Sequence, residues 1–112
     1  MEKPDYKEFA RAVYDIVKAV PPGRITSYGA IARALGHPHH SRMVGRIMGR
    51  CDDPHLPAHR VTDSRGRLSG RHAFGTPHRM SDLLEAEGIP VAGDRVVNSR
   101  QFFWDPLEEI RL

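Results

Sequence analysis

The chain has 112 residues, 39% of them apolar, enough for one domain to bury its own core without metal or disulfide support. Its single cysteine, Cys51, excludes an internal disulfide, and no apolar run approaches the roughly 20 residues of a membrane-spanning helix. The formal charge is only +3, yet ten of the 17 basic residues lie between Arg24 and Arg79 against three acidic ones, a balance that suits either a polyanionic partner or a solvated basic surface.

Asp5 followed by Glu8 reads as a capping box. Phe9, Val13, Ile16, Val17 and Val20 then recur at helical spacing, which predicts a first helix with one apolar stripe, stopped by Pro21-Pro22-Gly23. Ser27 is placed to cap a short second helix through Ile31 and Leu35, with Gly36 as its stop. After a turn at His37 to His40, Ser41 reads as the cap of a third helix carrying Met43, Val44, Ile47 and Met48. Two short helices across a tight turn predict a helix-turn-helix. Farther on, Val61 and Leu68 flank the turn-forming tetrad Asp63-Ser64-Arg65-Gly66, suited to a small hairpin or wing. Thr76 with Pro77 opens a fourth helix whose buried face is Met80, Leu83 and Leu84, and Gly88 with Ile89 reads as its C-terminal cap. Val96, Val97, Phe102, Phe103 and Trp104 are expected to close the core. With no internal repeat and no separating linker, residues 1–112 read as a single mainly α, winged-helix-like helix-turn-helix domain.

Pro57-Ala58-His59-Arg60-Val61 resembles the Pro-Cys-His-Arg-Val signature of the O6-alkylguanine-DNA alkyltransferases, with alanine in place of the reactive cysteine. Three further segments match in family order. Thr26 to Ala32 is similar to the tyrosine-bearing helix, Ser41-Arg42-Met43-Val44-Gly45 to the recognition helix, and Leu83 to Gly88 to the closing helix. The resemblance covers essentially the whole chain and maps it to the C-terminal domain of the full-length enzymes. A chain of this length without the cysteine resembles the alkyltransferase-like proteins, which bind alkylated guanine and present it to nucleotide excision repair.

In the enzymes a thiolate attacks the alkyl carbon, and Ala58 offers no nucleophile. The resemblance makes His59 the base and Glu87 its orienting partner, here left without anything to activate. A buried hydrogen-bonded pair that holds the loop is then the expected role. Tyr28 takes the place of the tyrosine that turns the target nucleotide out of the duplex, a step needed because the O6 substituent is otherwise confined in the stack. Arg42 takes the place of the arginine finger that fills the gap, entering through the minor groove. Met43 and Gly45, on the same helix, complete the DNA-binding set that the resemblance implies, and Gly45 and Gly49 would permit either close approach to the sugar-phosphate backbone or a tight helix crossing. The lesion pocket implied by the resemblance comprises Tyr28, Ala58, His59, Val61 and Arg71, where an arginine replaces the usual aromatic residue and could stack over the flipped base or meet a phosphate. Cys51 falls at or beside a turn-bracing asparagine of the family and reads as a buried inert thiol in preference to an alternative alkyl acceptor.

Seven histidines give no recognised zinc spacing, so neither metal nor cofactor is expected. Met1 leads straight into Glu2, Lys3 and Asp5 rather than an apolar leader, and the lone cysteine fits a reducing compartment, so a cytoplasmic location is expected. The resulting reading is a non-enzymatic monomer that binds double-stranded DNA containing O6-alkylguanine, flips the nucleotide and flags it for nucleotide excision repair proteins, with no membrane partner. The competing classes are a sequence-directed helix-turn-helix regulator and an enzyme that removes the alkyl group through Cys51 or by hydrolysis.

Overall fold

The computed structural model describes residues 5–76 and 78–110. Helix α1 (Tyr6–Ala19) starts where the Asp5 carboxylate accepts from the N–H groups of Lys7 and Glu8 at 3.0 and 3.2 Å. It ends at Val20 and buries Phe9, Val13, Ile16 and Val17 along the predicted stripe. Strand β1 (Thr26–Ser27) leads directly into α2 (Tyr28–Ala34), capped by the Ser27 hydroxyl on the Ala30 N–H at 3.1 Å. Gly36, at φ +81°, lets its own N–H reach Arg33 and that of His37 reach Ala32, which closes α2 with the paired bonds of a left-handed cap.

Helix α3 (Ser41–Gly49) differs from the expectation at its start. His40, not Ser41, is the cap residue, with its carbonyl accepting from Val44, so Ser41 is already helical. The predicted hairpin is also half corrected. The Asp63 carboxylate does organise the turn, accepting from the N–H groups of Arg65 and Arg67 at 2.9 Å each. The strand before it, β2 (Val61–Thr62), pairs in parallel with β1, in the register Thr26 to Val61. Beyond the turn, Arg67 instead meets Arg95 of a separate antiparallel hairpin, β3 (Val91–Ala92) and β4 (Arg95–Val96).

Helix α4 (Arg79–Ala86) begins later than Thr76; the Thr76 carbonyl accepts from Arg79, and Pro77 lies outside the described residues. Its end matches the sequence, with Gly88 at φ +83°, and Ile89 fully buried and bonded back to Leu84. Leu83, expected in the core, is only half-buried. Short helices α5 (Ser99–Phe102) and α6 (Pro106–Glu109) finish the chain. Trp104 and Val96 are core residues as expected, Phe102 and Phe103 are half-buried, and Val97 is 38% exposed, because it follows β4 on the opposite face from Val96.

Two apolar clusters result. One gathers α1, α2 and α3 with Leu56, Val61 and Trp104; the other gathers Ile25, Leu68, Met80, Leu84, Ile89 and Val96. The fold is mainly α, a helix-turn-helix of α2 and α3 with a small wing. Among the described residues no helix is long and apolar enough to cross a membrane.

Candidate nucleic-acid interface

The segment after α3 leaves the helix at Cys51, turns on the Asp53 carboxylate, which accepts from the His55 N–H at 2.9 Å, and buries Leu56. Pro57 then precedes a 3₁₀ turn over Ala58–Arg60, which leads directly into β2. The His59 and Arg60 side chains converge on the Glu87 carboxylate, which α4 delivers at its C-terminal cap. Oε2 of Glu87 accepts from His59 Nε2 at 2.7 Å and Arg60 Nη2 at 2.8 Å, while Oε1 accepts from Arg60 Nε and the Gly23 N–H, both at 3.0 Å. A further Arg60 donor reaches the Val20 carbonyl at 3.0 Å. Burial alone would raise the Glu87 carboxyl, but the donors of Arg60, Gly23 and His59 outweigh it and hold the group at about 2, against an ordinary 4.5. A carboxylate so fully engaged, 16% exposed, is a fixed structural anion with no lone pair left over for a reaction.

Beside this clamp opens a cleft of about 620 Å³. Ala58, His59 and Val61 form one wall, Tyr28 and Gly70 another, with Cys51 behind. Tyr28 is the first residue of α2, and its half-buried ring lies between Gly45 of α3 and Gly70; an added Cβ would stand 3.9 Å from the ring at Gly45 and 2.8 Å from the hydroxyl at Gly70. Burial raises the phenol above its usual range, partly offset by the Ser69 hydroxyl, which donates to it at 3.5 Å, so Tyr28 is neutral at physiological pH. Among the described residues nothing stands within 4 Å of an added Cβ at Gly49, so none of them makes a tight helix crossing there.

The sequence-predicted residues fall into two groups. Tyr28, Ala58, His59 and Val61 are brought to the cleft. Arg42 is exposed on the first turn of α3, and Met43 is half-buried against the helical core, while Gly45 faces the Tyr28 ring. Arg71 departs from expectation: its guanidinium donates to the Leu68 carbonyl at 3.0 Å and it is not among the lining residues, because the loop winds into a 3₁₀ turn over Arg71–Phe74 that presents Ala73 and Phe74 instead. Cys51 is half-buried against the helical core and lines the cleft. The sequence reading missed Met80, Leu83 and Arg79 as lining residues of α4, although their helical spacing with Glu87 was visible.

Residues 8–89 match the family model of the 6-O-methylguanine DNA methyltransferase DNA binding domain. The alkyltransferase-like protein 1 of Schizosaccharomyces pombe is 38% identical, over 88% of this chain and 96% of its own length. The chain belongs to the alkyltransferase-like proteins. The DNA base-flipping protein of Escherichia coli is 35% identical over 94% of this chain and 79% of its own length. Among solved structures, S. pombe Atl1 in complex with damaged DNA containing O6-carboxymethylguanine superposes with a TM-score of 0.80 at 36% identity, covering 95% of this chain and all of that one.

Proposed function

We propose that this protein is a non-enzymatic sensor of O6-alkylguanine in DNA. The observation that carries the reading is Ala58 in the wall of a cleft roomy enough for a base, beside an intact His59–Glu87 pair: the receptor is kept and the nucleophile is gone. Tyr28 at the cleft rim turns the nucleotide out, Arg42 fills the gap it leaves, and a weakly paired lesion costs less to extrude than a sound guanine. The carbonyls of Ala58 and Val61 accept from the guanine amino group, and the space vacated by a cysteine admits larger O6 substituents. The protein acts as a single-domain monomer in the cytoplasm, and its bound complex is the signal read by nucleotide excision repair. Alkyltransferase-like relatives and the DNA-bound form of one of them support the lesion-binding part of this reading.

The test is a titration against two identical duplexes, one carrying O6-methylguanine, followed by mass measurement of protein and DNA. Lesion binding is expected to be tighter by at least about tenfold, or roughly 1.4 kcal/mol, with both masses unchanged. Equal affinity would favour a general DNA-binding module, and a mass gain on the protein would make Cys51 an alkyl acceptor.

A further inference from the structure

The wing sets two arginines, Arg67 and Arg95, opposite one another with no ion-pair partner for either among the described residues. Arg67 and Arg95 are direct partners in an antiparallel bridge, so their side chains leave the same face. Like charges opposed in this way destabilise a strand pair. Gly66, at φ +77°, packs on Ser99 so closely that an added Cβ would stand 2.7 Å from the serine Cβ, which pins the turn before Arg67 against the segment after Arg95. The backbone locks this arrangement through Val96 N–H to the Gly66 carbonyl at 2.9 Å and Leu68 N–H to Asp94 at 2.7 Å. Among the described residues neither arginine forms an ion pair; the Asp63 carboxylate is occupied by backbone donors, and exposed Asp94 pairs with neither of them.

We infer that this arginine patch is a second phosphate-binding surface, which holds the duplex backbone flanking the flipped nucleotide. The polyanion is DNA and not an acidic protein segment because the patch runs into the cleft rim. Arg67 is two residues from Ser69, whose hydroxyl meets Tyr28, and three from Gly70, which lines the cleft. Two residues of extended chain span at most about 7 Å, the rise of roughly two nucleotides along one strand. Phosphates adjoining a nucleotide seated against Tyr28 therefore fall within reach of the patch, and their charge relieves the Arg67–Arg95 repulsion. Contacts of this kind carry no sequence or lesion information and act by releasing counterions.

The inference rests on lesion binding at the cleft, and one experiment separates the two. Wild type and the double variant Arg67→Gln/Arg95→Gln are titrated across a salt series with long lesion-bearing and unmodified duplexes, and Arg67→Lys/Arg95→Lys serves as the charge-preserving control. The double Gln variant is expected to flatten the plot of log affinity against log salt by about 1.8, or about 0.9 per contact, equally on both duplexes, and to leave the lesion preference intact. The Lys control should keep the wild-type slope. The melting temperature of the Gln variant should equal or exceed that of the wild type, since a repulsion is removed. An unchanged salt slope in a folded Gln variant overturns the inference, even if the patch is then found to bind an acidic peptide. Absence of lesion preference in the wild type would instead overturn the sensor reading and leave the slope to decide this one.

Discussion

Gly70 and Tyr28 share a space that has no room for one more atom. The Gly70 backbone, at φ −88°, is compatible with any residue, so its constraint is the Tyr28 hydroxyl 2.8 Å from where a Cβ would stand and not its conformation. Gly70→Ala should therefore destabilise by about 1–2 kcal/mol through overpacking, and adding Tyr28→Phe should recover most of that loss by deleting the clashing oxygen. Urea denaturation of the two single variants and the double closes the cycle. Additive effects would mean that the loop moves away from the tyrosine, and the cleft wall would then be softer than the packing indicates. The same residue scale explains Ala58: its neighbours His59 and Arg60 are fixed by Glu87 whatever stands at position 58, so losing the nucleophile leaves the wall in place.

At the scale of elements, the start of α2 sets where Tyr28 points. Ser27 is 6% exposed and supplies the side-chain cap, so Ser27→Ala should cost about 1 kcal/mol in a denaturant melt and also weaken lesion binding, because Tyr28 is the next residue. A stability loss with affinity unchanged would show that the tyrosine is positioned by Gly45 and Gly70 alone. This cap was legible because serine before an apolar periodic run is a local signal, as were the left-handed caps at Gly36 and Gly88. The pairing of β1 with β2 was not: two-residue strands have no period to read, and their register joins residues 35 positions apart through the tertiary fold. Two local signals were passed over, the Gly93-Asp94 turn between β3 and β4 and the Asp105 cap with Pro106 in the first turn of α6. At the site, the motif gave Ala58, His59 and Glu87, but the sharing of Glu87 with Arg60 depends on α4 meeting the 3₁₀ turn in space, which no spacing encodes. The place of Arg71 was not legible for a related reason, since its position in the chain did not reveal that the loop would coil and return its guanidinium to Leu68.

Across the whole molecule, Glu87 ties together parts that belong to different clusters. It comes from α4, which packs in the C-terminal cluster, and through Arg60 and Gly23 it engages the end of α1 and the segment following it, whose core is the helical one. The carboxyl titrates at about 2 in the folded chain and at an ordinary 4.5 when released, so the unfolded chain binds the proton more readily. The clamp's contribution is thus fully present above about pH 4.5 and is lost progressively as pH falls toward 2. Glu87→Gln keeps the shape and removes the charge. It should lower stability at neutral pH by about 2 kcal/mol, because Arg60 keeps its partly buried position without an anion to answer it. The same substitution should flatten the decline between pH 4.5 and 2, since an amide has no proton to gain there. Denaturant melts of both proteins across that range decide the matter: a Gln variant that loses stability on acidification as steeply as the wild type would place the acid sensitivity on other carboxylates and reduce the Glu87 clamp to packing.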